Sequence, residues 1–212
     1  HYPDTRPALH YRTPFELLIA VILSAQCTDK RVNVVTATLF PAYDSPEKML
    51  QLTQSELEKK IHSCGLGESK SKNILATCRM LLEDYGGELP RSIEELQKLP
   101  GVGKKTANVV GSVAFDIPAI AGDTHVFRVS NRLGLAEATT VQKTEVQLME
   151  AIPMEDWSKA HHWLIFHGRQ LCTARKPKCA ECFLPDLCPY YIDELTPATL
   201  VDGTGKKQTK SK

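Results

Sequence analysis

Four cysteines fall within seventeen residues near the end of the chain, in the spacing Cys172-x6-Cys179-x2-Cys182-x5-Cys188. Thiolates are soft ligands, and four in one short segment can bind zinc or an iron–sulfur cluster. A structural zinc site more often pairs two close Cys-x-x-Cys knuckles across a longer insert. Here one pair has that spacing, and the longer gaps on either side let each sulfur approach a separate corner of a compact cube. The spacing therefore points to a [4Fe–4S] cluster held by Cys172, Cys179, Cys182 and Cys188, with zinc as the alternative. Between the first two ligands, "TARKPK" carries Arg175, Lys176 and Lys178 and no acid. Such a tethered cationic loop can clamp phosphates with salt-sensitive affinity; the plainer alternative is a solvated loop.

A second stretch, "LPGVGKKTANVV" from Leu99 to Val110, places Gly101 and Gly103 where a helix is about to start. Glycines there let backbone amides project outward, and the amides at a helix N-terminus make an anion site suited to a phosphate. Lys104 and Lys105 follow, at the end of the helix whose dipole repels cations. Beside each other and beside that dipole, their charged forms are disfavoured on two counts. A neutral amine is a nucleophile for carbon and forms Schiff bases with sugar aldehydes; the alternative is a lysine pair that covers phosphate or solvent. In "AIAGDTHVFRVSNRLG", Asp123 can cap the helix opening at Thr124 and His125. A carboxylate held there stays ionised and can stabilise a cation developing at a sugar anomeric carbon. Arg128 and Arg132, four apart, share a face that reads as solvated or salt-bridged.

The elements that must position these groups are helical throughout, so the fold class is all-α. Capping boxes are expected at Thr13/Glu16, Thr53/Glu56 and Ser92/Glu95. "FELLIAVILSAQ" is apolar on nearly every face, as a helix inside a bundle is. Further helices are expected at 30–40, 45–52, 54–63, 69–85, 92–98, 104–115, 123–133 and 140–151, with a last long one running into the cysteines. Cys27, Cys64 and Cys78 read as buried small hydrophobes. From 191 to 212 the periodicity is lost, and "GTGKKQTKSK" reads as a flexible basic tail.

At 212 residues, 42% of them hydrophobic, the chain can bury a real core. A formal charge of +1 does not itself predict a polyanion partner, which must be met by local clustering of the 26 cations. No apolar run reaches the ~18 residues of a membrane span, and clustered cysteines without a disulfide pattern suit a reducing compartment, so the expectation is a cytoplasmic protein with no membrane contact. The chain starts at His1, and its numbering is taken as that of a trimmed chain.

Taken together, "SAQCTD", "GLGESKSKNI", "LPGVGKKTANVV", "GDTHVFRVSNR" and the cysteine loop, in this order from about Tyr11 to Cys188, resemble the helix-hairpin-helix DNA glycosylase family in its iron–sulfur branch. The resemblance implies that Lys105 attacks the deoxyribose anomeric carbon and that Asp123 assists. It implies that Gln26 fills the gap left by an extruded nucleotide, that Leu66 wedges the opposite strand, and that His125 lies beside the lesion pocket. Without it, Gln26 is a helix-end cap, Leu66 a buried loop anchor and His125 a helix-start histidine. Where the family pattern has a small branched residue, commonly valine, before Asp-Thr-His, this chain has Gly122, which is expected to loosen the loop carrying Asp123.

The implied architecture is two helical lobes with a DNA-binding cleft between them: a six-helix barrel over 7–117, with the helix-hairpin-helix near 92–115, and a [4Fe–4S] cluster lobe from 1–6 and 118–190. The implied activity is a bifunctional DNA glycosylase and abasic-site lyase for oxidised or ring-saturated pyrimidines. Its partner would be double-stranded DNA containing damaged pyrimidines or abasic sites, met by a monomer associated with the bacterial nucleoid. Adenine glycosylases that act on mispairs lack a lysine at the position of Lys105.

Overall fold

A computed structural model describes Tyr2 and residues 8–195. Among the described residues ten α-helices succeed one another: α1 Pro14–Ser24, α2 Asp29–Leu39, α3 Pro46–Met49, α4 Gln54–Ile61, α5 Gly67–Tyr85, α6 Ile93–Leu96, α7 Lys104–Phe115, α8 Thr124–Arg132, α9 Val141–Ala151 and α10 Trp157–Gln170. No strand occurs among the described residues, and no helix among them is long and apolar enough to cross a membrane.

The chain divides into two compact units. The first holds the described residues up to Ala121 together with Ile152–His162, and the second holds Gly122–Ala151 with the described residues from Trp163 onward. This division passes through α10 and returns Ile152–His162 to the first unit, where the sequence suggested a break after Ile117. The segment expected as a tail opens with a π-helical turn, Tyr190–Leu195; 196–212 and most of 1–6 lie outside the described residues.

In the first unit, α1 runs through the core with every residue from Phe15 to Leu23 buried, and it packs against α2, α5 and α7. The polar exception on α1 is Glu16, 1% exposed. Its carboxylate accepts from the Arg12 backbone amide at 2.6 Å and from the Arg12 guanidinium at 2.6 Å. Thr13 caps Glu16 N–H, yet the Glu16 side chain reaches past Thr13 to Arg12, so the expected capping box is only half formed. At α6 the same holds: Ser92 caps Glu95 N–H while the Glu95 carboxylate turns to Tyr85 and Lys98. Thr53 and Glu56 make the full reciprocal box. Partner choice decides the difference, because a glutamate with a better partner nearby abandons the N-cap amide.

Cys64 and Cys78 are buried, and burial pushes the Cys78 thiol up to about 12, which makes it inert. Cys27 is only half-buried, contrary to expectation, because it sits in the turn after α1.

Candidate DNA-facing surfaces and iron–sulfur centre

The hairpin begins with α6 and ends in α7. Leu99 and Val102 are buried anchors on either side of Pro100 and Gly101, and the Thr77 hydroxyl on α5 donates to the Pro100 carbonyl at 2.8 Å. Gly101 has φ +78°, and a Cβ there would stand 2.8 Å from the Asn73 Cβ, so both torsion and space require glycine. Gly103 is the N-cap of α7, exposed, with open space where a side chain would be. No side chain caps the first turn of α7. Lys104 and Lys105 are its first two residues, both exposed.

Two further turns in the same unit carry Gln26 and Leu66. Both residues are exposed and hold left-handed backbone, φ 55° and 52°. Leu66 is 54% exposed at the N-cap of α5, which excludes the buried-anchor alternative. Lys70 lies against both turns, a residue that composition and motifs did not single out. It is 4% exposed and occupies the buried face of α5 with Ile74, Cys78 and Leu81. A lysine in phase with that apolar face was the available signal.

In the second unit, Asp123 is the N-cap of α8, and its carboxylate accepts from His125 N–H at 2.7 Å. The capping role is thus real. His125 is half-buried, and its Nδ1 lies 3.0 Å from Arg128 Nη2. A guanidinium only donates, so Nδ1 accepts and the neutral ring carries its proton on Nε2. Burial, chiefly, holds the His125 pKa below the usual value, which keeps that neutral form. Arg128 also donates to the carbonyls of Gly168 (2.9 Å) and Cys172 (3.1 Å).

Arg132 donates to Thr173 O at 2.8 Å, to Ala174 O at 3.0 Å and to Cys172 Sγ at 3.3 Å, and lies 4.4 Å from the Tyr190 ring centroid. The expected solvated or salt-bridged face is therefore a pair of arginines that grip the backbone leading into the cysteines. The carbonyls they satisfy belong to the last turn of α10 and to the loop that follows it.

Gly122, before Asp123, does not have left-handed torsion. A Cβ built there would stand 2.5 Å from Val141 Cγ1, so the Val141 side chain occupies the space that a branched residue at 122 would fill. The loop is packed rather than loosened. Gly122→Val is expected to cost about 1–3 kcal/mol through overpacking, read by urea unfolding, and Val141→Ala in the same chain to recover most of it. An unchanged midpoint in the single variant would remove this account.

The sulfurs of Cys172, Cys179, Cys182 and Cys188 line one recess with apolar walls that include Leu133, Leu171 and Pro177. Among the described residues no three His, Cys, Asp or Glu side chains converge on a point as a single ion would require. Burial, then the other three thiols lining the same recess, push the Cys179 pKa up. That donor set fits the corners of a polynuclear cluster. The loop is organised around it: Leu171 O accepts from Thr173 N–H and Lys178 N–H, both at 2.9 Å, and Cys172 N–H donates to His167 O at 2.8 Å. His167, 5% exposed, brings Nε2 to 3.7 Å from Cys182 Sγ. When bound, the cluster supplies four iron–thiolate bonds that cross-link this loop. Arg175 and Lys176 are exposed on it, while Lys178 pairs with Glu181 at 3.7 Å, an acid just outside the stretch that looked purely cationic.

Residues 19–154 match the model of HhH-GPD superfamily base excision DNA repair proteins, and 172–188 match the iron–sulfur binding domain of endonuclease III. Endonuclease III of Bacillus subtilis is 55% identical over 188 residues, covering 88% of this chain and 86% of that protein. The Escherichia coli K12 protein of the same name is 49% identical, covering 89% of each. A trapped endonuclease III–DNA covalent intermediate superposes with a TM-score of 0.86 at 51% identity over 92% of each chain. A thermostable thymine-DNA glycosylase superposes with a TM-score of 0.81 at 29% identity over 90% of this chain and 91% of that one.

Proposed function

Because the chain belongs to the HhH-GPD superfamily of base excision DNA repair proteins, in its endonuclease III branch, and is a DNA glycosylase with an iron–sulfur cluster, we propose that it is bifunctional. It excises oxidised or ring-saturated pyrimidines of the thymine glycol type and cleaves the strand 3′ to the resulting abasic site. The observation that carries this reading is an exposed lysine, Lys105, on the first turn of α7 behind a hairpin pinned to the core. A related endonuclease III has been trapped as a covalent intermediate with DNA, which supports a nucleophile of this kind.

Lys105 Nζ, as the free amine, attacks C1′ of the deoxyribose. The C1′–N bond breaks, and the base leaves with its electron pair and takes up a proton. The sugar ring opens to an imine between C1′ and Nζ. Loss of a C2′ proton then expels the 3′ phosphate, and water hydrolyses the imine to release Lys105. Asp123 supplies fixed negative charge for the cation that develops at C1′.

The damaged base must leave the stack first, at a cost of a few kcal/mol that is smaller for a non-planar, poorly stacked pyrimidine. Gln26 fills the vacated gap and Leu66 wedges the opposite strand, while His125 stands beside the extruded lesion. Phosphates lie on the amides of Gly101 and Gly103 with Lys104, and on Arg175, Lys176 and Lys178 of the cysteine loop. The protein acts as a monomer on nucleoid DNA in the cytoplasm.

Borohydride trapping on duplexes carrying thymine glycol, an abasic site or an undamaged mispair tests the reading. A covalent protein–DNA band on the first two is expected. Tight binding with no band would overturn the lyase assignment, and base release from the undamaged mispair without a band would replace it with a monofunctional mispair glycosylase.

A further inference from the structure

Lys70 is a buried cation with no acidic partner among its hydrogen bonds. Its Nζ donates to Leu23 O at 2.8 Å, Ala25 O at 2.8 Å and Cys64 O at 2.9 Å. An ammonium has three N–H bonds, and here each finds a carbonyl. Leu23 and Ala25 belong to the last turn of α1 and its C-cap, and Cys64 closes the short 3-10 turn His62–Cys64. Helix C-terminal carbonyls carry the negative end of the dipole, so a cation among them is stabilised without a carboxylate.

The carbonyls come from two separate turns. Ala25 immediately precedes Gln26, and Cys64 lies two residues before Leu66. Lys70 N–H also donates to Leu66 O at 2.9 Å, so backbone and side chain of one residue hold both turns. The long-range pairs span 45 and 47 residues of sequence, and they add to the packing of α2 on the 3-10 turn and the contact of Cys27 with Cys64, which join the same two turns. Burial holds the Lys70 pKa below its usual value, as expected of a desolvated amine.

We propose that Lys70 is a positioning residue for strand insertion: its ammonium is a three-point clamp that sets the distance between Gln26 and Leu66, so that both enter the duplex together. The proposal rests on the reading of those two residues given above. A neutral side chain in place of the amine frees the two turns to move apart by about 1 Å, and misplacement on that scale costs about a hundredfold in rate.

Lys70→Met removes all three donors at similar length, and Lys70→Gln keeps donors for part of the set. On a thymine glycol duplex, kcat/KM is expected to fall about a hundredfold in Lys70→Met and by an intermediate factor in Lys70→Gln. On a single-stranded abasic oligonucleotide, where there is no stack to fill, both variants should cleave within about threefold of the parent. That contrast separates positioning from loss of fold, which would lower both rates alike. Where Lys70→Met does not fold, the duplex-to-single-strand ratio of Lys70→Gln decides. A parental ratio in the Lys70 variants, beside a large fall in Gln26→Ala/Leu66→Ala, overturns the clamp alone. Parental duplex activity in Gln26→Ala/Leu66→Ala overturns the role of the two inserted residues and the clamp with it.

Discussion

Lys105→Gln is expected to abolish the borohydride-trapped band and to lower strand cleavage by on the order of 10⁴-fold or more, since glutamine has no amine to form the imine and removing a covalent nucleophile is not partly compensated by neighbours. The side chain is exposed at the start of α7, so the fold and melting temperature should stay at the parental level. DNA binding should persist. Its dependence on salt should keep the parental slope, because a nucleophile aimed at C1′ neutralises no phosphate. Cleavage that survives the substitution would move Lys105 to the role of a phosphate contact and reopen the search for the nucleophile.

Two substitutions separate the N-cap that Asp123 makes on His125 N–H from the catalytic role proposed for it. Asparagine is as good an N-cap as aspartate, whereas alanine costs roughly 1 kcal/mol. Asp123→Asn should therefore keep the cap on His125 N–H and leave stability unchanged, while Asp123→Ala should lower the unfolding midpoint. Both remove the negative charge, and both should lower base release about 10²–10³-fold, the typical cost of losing one preorganised electrostatic partner. Full activity in Asp123→Asn would leave the carboxylate with nothing but its cap.

Local rules were legible in the sequence. Thr53 with Glu56, Pro14 after Thr13 and the Gly-x-Gly turn before α7 each depend on neighbours within four residues, and each stands where spacing put it. The cysteine loop was legible because all four ligands fall within one seventeen-residue segment. What was hidden depends on the direction of backbone carbonyls far away in the chain. Arg128 and Arg132 look like two cations on a helix face, and only the folded loop reveals that their partners are main-chain oxygens some 40 residues on. Lys70 is hidden in the same way. Gly122 misled because its neighbour across space, Val141, lies nineteen residues along and fills the missing side chain from outside.

The left-handed torsions at Gln26 and Leu66 reach beyond catalysis. A residue with a Cβ pays about 1 kcal/mol or more to stay in that region, and glycine would pay almost nothing. Glycine at either position would relieve that strain and, on the insertion roles proposed for Gln26 and Leu66, would make a poorer repair enzyme. Selection for thermal endurance alone would push both positions one way and selection for genome integrity would push them the other. On the proposed insertion roles, the best-folding sequence and the best-working sequence part company at these two positions.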